Sequence, residues 1–278
     1  HRRQICQTVK RFALITALLI APFAAQSDQS TSLTDLSQRG DYLGLEAVGR
    51  LDSPDGYCSA TLIAPDLVLT AAHCVFKGGS KSRYSADELT FRAALTDGKA
   101  LAERKAYRIA VDPSYDYPGP LNRARVISDI ALVLLEDPIS TAIADPFALH
   151  SGGAIDGPVS VVSYGRGRNE RMSWQRGCNI LNRDHGLVVM DCDVTYGSSG
   201  SAIFARENGR YRIFSVTSAI GTQNGKRVAY GMELNNRVAA LKREIRATPV
   251  RRTSAPKRIG ANNSARSTSQ ARFVRVTN

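Results

Sequence analysis

Short runs rich in Val, Ile, Leu and Tyr recur through the middle of the 278-residue chain, each cut off by Gly, Pro, Asp or Ser. Ala60–Ile63, Leu67–Ala71, Ile130–Leu135, Pro158–Tyr164, Leu187–Met190, Ser201–Phe204 and Ile213–Ala219 are the clearest. Runs this short between turn formers read as strands. Many of them in series suit a sandwich or a closed barrel. No strand–helix–strand alternation appears, so a doubly wound sheet is excluded. The class expected is all-β, with one helix near the end. That helix runs from about Asn236 to Ala247, with Val238, Leu241 and Ile245 on one face and Pro249 just past its end. There is no internal repeat.

The formal net charge of +12 suggests an acidic partner such as nucleic acid until its location is considered. Residues 1–27 and 249–278 carry eleven Lys and Arg between them and no acid, which leaves 26 basic against 25 acidic residues in the body. The charge belongs to the two ends, and no nucleic-acid partner is expected. In residues 1–27, Arg2, Arg3, Lys10 and Arg11 precede the apolar run Phe12–Ala21, followed by small residues around Ala24 and Ala25. That is the order of a secretory signal peptide. The run is too short for a membrane span, which needs about 20 residues. Residues 28–43 are polar and read as a propeptide or flexible lead-in. Residues 249–278 read as a basic disordered tail that could contact anionic envelope surfaces. The expected location is secreted or periplasmic, with no integral membrane span.

Cysteine usage agrees. Cys6 leaves with the leader, and Cys58, Cys74, Cys178 and Cys192 remain, an even number suited to disulfides in an oxidising compartment. Four cysteines allow three pairings. Cys58–Cys74 with Cys178–Cys192 is the simplest, since each pair brackets a strand hairpin. No CxxC spacing supports zinc and no carboxylate cluster has EF-hand spacing, so neither metal nor cofactor is expected.

Three segments carry chemistry. Thr70-Ala-Ala-His73-Cys74 closes an apolar run, Ser128-Asp129 heads another, and Gly197-Ser-Ser199-Gly-Ser is a small-residue loop leading into a third. Hydrolysis by a serine needs a base for the hydroxyl proton, an acid to orient that base, and donors for the oxyanion. A lone His, Asp or Gly/Ser cluster is usually structural. The three together, in this order, in an exported β protein, meet the whole requirement. An α/β-hydrolase would need the order Ser, acid, His and Gly at position 201, which is Ser.

TAAHC, SDIALVLL and GSSGS resemble the His, Asp and Ser motifs of the chymotrypsin/trypsin-like serine peptidases, across roughly Val48 to Thr248. The lead-in Cys58-Ser-Ala-Thr-Leu-Ile-Ala-Pro65 and the stretch Asp112-Pro-Ser-Tyr115 resemble further family segments. The resemblance implies two antiparallel Greek-key β-barrels of about 100 residues each, at 44–140 and 141–248, the second ending in the helix. It implies His73 as general base and acid, Asp129 as its orienting acid and Ser199 as nucleophile. The N–H groups of Gly197 and Ser199 would form the oxyanion hole, Ser218 would support Asp129, and Cys58 would pair with Cys74.

Two departures matter. The residue before the nucleophile is Ser198 where the family usually has Asp, and no Ile-Val-Gly-Gly site appears near residues 44–49. Activation through a new N-terminal amine is therefore not expected. Ser201 gives the Gly-x-Ser-Gly-Ser form of bacterial relatives such as glutamyl endopeptidases. For substrate binding the resemblance implicates Asp193 as pocket floor, which would favour Arg or Lys before the scissile bond. Thr217 stands where glutamyl endopeptidases have His, which disfavours a Glu-binding pocket, and Ile220 would narrow the pocket wall. The function expected is a monomeric serine endopeptidase acting on protein or peptide substrates. A non-catalytic binding homologue on the same fold is the alternative.

Overall fold

The computed structural model describes residues 30–247. The expected leader at 1–27 and the basic tail at 249–278 lie outside the described residues. The all-β class with a terminal helix holds. The strands are β1 (Leu33–Asp35), β2 (Val48–Ser53), β3 (Gly56–Ala64), β4 (Leu67–Thr70), β5 (Thr90–Ala93), β6 (Ala102–Val111) and β7 (Ala131–Leu135). They continue as β8 (Val159–Ser163), β9 (Ser173–Cys178), β10 (Ile180–Asp184), β11 (Leu187–Met190), β12 (Ala202–Glu207), β13 (Arg210–Gln223) and β14 (Lys226–Met232). A short helix α1 (Arg123–Ser128) precedes β7, and α2 (Asn235–Ala247) ends the described chain.

Strands β2-β3-β4-β7-β6-β5 close into an antiparallel barrel. The second sheet has the order β1-β9-β8-β12-β13-β14-β11-β10. Its β9 and β10 are joined in the chain by Asn179 alone. The sheet therefore curls, and side chains from across it, including Val161, Met190, Ile203 and Phe214, share one core.

The apolar runs legible in sequence are strands buried on both faces. In β4, Val68 enters the first barrel's core while Leu67 and Leu69 enter a second cluster. In β7, Val133 faces inward and Leu132 and Leu134 face that second cluster. In β8 and β12, Val161 and Ile203 face the other barrel's core, and Val162 and Phe204 face the shared cluster. Successive side chains point to opposite faces, so two apolar surroundings give a run without alternation. The shared cluster welds the two barrels together.

Helix α2 belongs to that weld. Val238, Leu241 and Ile245 are buried in it. Arg246 pairs with Asp66, with Nη1–Oδ2 at 2.8 Å, and Arg237 pairs with buried Asp112. Leu241→Ala should lower the free energy of unfolding by about 2–5 kcal/mol, the transfer loss plus the cavity. Chemical denaturation measures this, and a change under about 1 kcal/mol would show that the site collapses around the smaller side chain.

Residues 30–43 correct the expectation of a flexible lead-in. β1 pairs with β9 from Leu33↔Gln175 to Asp35↔Ser173, and Leu36 and Tyr42 are buried in the shared cluster. The segment straps one barrel to the other. Its polar composition hid this, because only two large apolar side chains anchor it.

Candidate active site

Register places the first two residues. β4 and β7 run antiparallel with Thr70 opposite Ala131. His73, in a short helical turn at Ala72–Val75, and Asp129, capping α1, therefore emerge at the same end of the barrel. The Asp129 carboxylate is buried and takes three hydrogen bonds. The His73 backbone N–H donates to Oδ1 at 2.9 Å, and His73 Nδ1 lies 2.7 Å from Oδ2. The Ser218 hydroxyl donates to Oδ2 at 2.6 Å from β13. Two bonds from one histidine fix ring and carboxylate together.

Burial pushes the His73 pKa down, and the charge and hydrogen bond of Asp129 pull it up more strongly, so the net direction is upward from 6.5. The ring is 24% exposed, which moderates the burial penalty.

Ser199 sits in the loop entering β12 and lines a cleft of about 680 Å3 with His73 and Ser218. No hydrogen bond joins Ser199 to His73 among the described residues; such contacts often tighten only with substrate bound. Around Ser199 the backbone is tightly specified. Gly200 has φ +78°, and a Cβ there would lie 2.1 Å from Thr70 Oγ1 and 2.3 Å from the Ser59 carbonyl oxygen. Gly197 has φ +87°, and a Cβ there would meet the Tyr57 ring and the Tyr164 carbonyl at 2.5 Å. No side chain fits at either position.

The N–H groups of Gly197 and Ser199 donate to no acceptor among the described residues. Their directions are nonetheless fixed, because a planar trans peptide couples each N–H to the preceding carbonyl. The Tyr196 carbonyl accepts from the Arg166 N–H at 2.7 Å, which holds the peptide carrying the Gly197 N–H. The Ser198 carbonyl accepts from the Ser201 N–H at 2.9 Å, which holds the peptide carrying the Ser199 N–H. From the other barrel, the Ser59 N–H donates to the Ser199 carbonyl at 2.9 Å and the Ser59 hydroxyl to the Gly197 carbonyl at 2.8 Å.

Ser198, where the family usually has Asp, is fully buried, with its hydroxyl 3.0 Å from that of Ser163 and accepting from the Thr195 N–H at 3.2 Å. A neutral network fills the place of an ion pair. Sequence reading missed Ser59, Ser163 and Tyr57. The adjacency of Ser59 to Cys58 was the one available signal for the first.

The local cysteine pairing is the observed one, with Cys58–Cys74 at 2.08 Å and Cys178–Cys192 at 1.98 Å between sulfurs. Cys58, His73 and Cys74 form the one cluster of potential metal ligands among the described residues, and its two sulfurs are joined to each other.

The substrate-binding expectations divide. Ile220 lines the cleft. Thr217 does not: it is buried, and its Oγ1 accepts from the Ser201 hydroxyl at 2.8 Å, so it braces the loop that carries Ser199. Asp193 requires correction as well. Asp193 is exposed between buried Cys192 and Val194 and is not among the residues lining the cleft. Among the described residues lining the cleft, Arg227 is the one with a permanent charge, and sequence reading did not single it out.

The fold is of the two-barrel class, with His73, Ser199 and Ser218 lining one cleft. The family model for the trypsin-like peptidase domain matches residues 58–211, and the chain belongs to that family. Serine protease 23 of Bos taurus is 28% identical over 168 residues, 54% of this chain and 44% of that protein. The chain thus spans less than half the length of that relative. Among solved structures, a Glu endopeptidase superposes with a TM-score of 0.64 at 18% identity, covering 79% of this chain and 98% of the other. The thermostable serine protease AL20 from an extremophilic microorganism gives 0.58 at 17% identity over 73% and 98%. The protease Anisep of Arthrobacter nicotinovorans gives 0.59 at 15% over 78% and 100%.

Proposed function

We propose that the chain is an exported serine endopeptidase in which Ser199 is the nucleophile, His73 the general base and acid, and Asp129 the residue that orients His73. The observation that carries the reading is the buried Asp129 gripped by the backbone N–H and ring Nδ1 of His73 and by the Ser218 hydroxyl, facing a cleft where two unpaired backbone N–H groups lie beside Ser199. Ser199 Oγ attacks the scissile carbonyl carbon while His73 Nε2 takes its proton. The carbonyl electrons pass to an oxyanion held by the Gly197 and Ser199 N–H groups. The imidazolium, steadied by Asp129, returns the proton to the leaving amine, and water then releases the acyl group by the reverse sequence. Because the oxyanion donors are already fixed by Arg166 and Ser201, no new N-terminal amine is needed to assemble them.

Two disulfides support export, since such bonds persist in oxidising compartments. No helix among the described residues is long and apolar enough to cross a membrane.

A fluorophosphonate reagent tests the reading, because it captures only an activated serine. Mass spectrometry should find the adduct on Ser199. A protein that stays unlabelled in its folded state is a non-catalytic binding homologue. The pH dependence follows from His73. The base must be neutral, and its pKa is raised, so kcat/KM should fall with decreasing pH along a limb whose midpoint lies above 6.5. A midpoint below that value would show that Asp129 does not outweigh burial at His73.

A further inference from the structure

Arg227 sits on β14 opposite Thr222 and lines the cleft that holds Ser199. Its Nη2 donates to the Val194 carbonyl at 3.1 Å, tying the guanidinium to the segment that leads into the nucleophile loop. A guanidinium has five N–H donors, so this bond leaves most of them available. Among the described residues Arg227 has no carboxylate partner, and none of the described residues lining the cleft carries a carboxylate.

Around cleft-lining Tyr57 stand Arg166, Arg168 and Glu170, the last of which is paired with Arg50 at 2.7 Å. Arg166 stacks over the Tyr196 ring at 4.3 Å without an ion pair, and two guanidinium nitrogens of Arg168 are buried without a partner. An unpaired cation tethered in a concave, partly apolar cleft is a receptor for an anion, since like-charged side chains are repelled and neutral ones leave its donors to water. The Ile220 wall supplies apolar surface for a methylene stem.

We propose that Arg227 selects substrates with an acidic side chain, Glu or Asp, at the residue before the scissile bond. This rests on the peptidase reading above and replaces the expectation of a basic preference through Asp193.

The test is a peptide series cleaved by the full chain and identical except for Glu, Gln, Lys or Arg before the scissile bond. Arg227 is exposed, so its ion pair with a Glu side chain predicts a kcat/KM about 2- to 5-fold higher for Glu than for Gln. Arg227→Gln should bring that ratio close to one, and Arg227→Glu should shift preference towards Lys and Arg. Equal cleavage of the Glu and Gln peptides, an unchanged ratio in Arg227→Gln, or an acid preference that appears only at another peptide position would overturn the proposal.

Binding separates this claim from the catalytic one. Calorimetry with the uncleaved peptides on Ser199→Ala should show tighter binding of Glu than of Gln, lost in Ser199→Ala/Arg227→Gln. Tighter Glu binding by a chain that cleaves nothing would sink the peptidase reading and leave the role of Arg227 standing.

Discussion

Ser199→Ala is expected to lower kcat on a cleavable peptide by about 10^5- to 10^6-fold while leaving the fold intact. The substitution removes the nucleophilic oxygen and nothing else that holds the loop. The Ser199 carbonyl still accepts from Ser59, the Ser198 carbonyl from Ser201, and the glycines on either side of the Ser198–Ser199 pair keep their conformations. Both oxyanion donors therefore survive, and a residual rate of about 10^3- to 10^4-fold over water should persist from them and from substrate binding. Thermal unfolding should move little, since the hydroxyl has no hydrogen-bond partner among the described residues to lose. A rate within about tenfold of the parent would assign the nucleophile elsewhere. KM should change less than kcat, because the hydroxyl acts on the transition state and not on the bound ground state.

What the sequence revealed follows from which constraints are local. Strands β4, β7, β8 and β12 were legible because two apolar surroundings force continuous runs. β6 was not: its buried positions are Ala102, Ala106 and Ala110, separated by Glu, Arg, Lys and Tyr, and a register shift at Ala106 breaks the alternation. β2 was hidden by Arg50 and Asp52, which pair with each other at 2.6 Å on the barrel's outer face. Barrel closure, with Gly49 opposite Ala93, depends on residues too far apart for any local pattern.

The site divides in the same way. His73, Asp129 and Ser199 stand out because the chemistry restricts their residue types. Ser59, Ser163 and Arg227 do not, because their roles arise where one segment meets another across the molecule. Asp193 misled for a related reason. A count back from Ser199 fixes distance along the chain but not where a side chain lies, and Asp193 is exposed between buried Cys192 and Val194.

Asp129→Asn should reduce kcat at neutral pH by about 10^4-fold, through the tautomer of His73 and not through lost packing. The geometry leaves the amide little choice. The His73 backbone N–H donates to Oδ1, so an asparagine keeps its carbonyl oxygen there and puts its NH2 where Oδ2 was, 2.7 Å from Nδ1. Nδ1 must then accept, which places the ring proton on Nε2, and a protonated Nε2 cannot take the proton of Ser199. Flipping the amide restores an acceptor for Nδ1 but sets two donors against each other at the His73 backbone. The Ser218 hydroxyl can rotate to accept from the amide and so does not decide between the two orientations.

Two measurements separate this account from simple destabilisation. Nitrogen NMR of the imidazole should show Nδ1 protonated in the parent and deprotonated in the variant. The His73 pKa should also fall, because the charge that raises it is gone and burial still pushes it down. A variant that loses activity but keeps Nδ1 protonated would show that Asp129 acts by charge alone, steadying the imidazolium without choosing the tautomer.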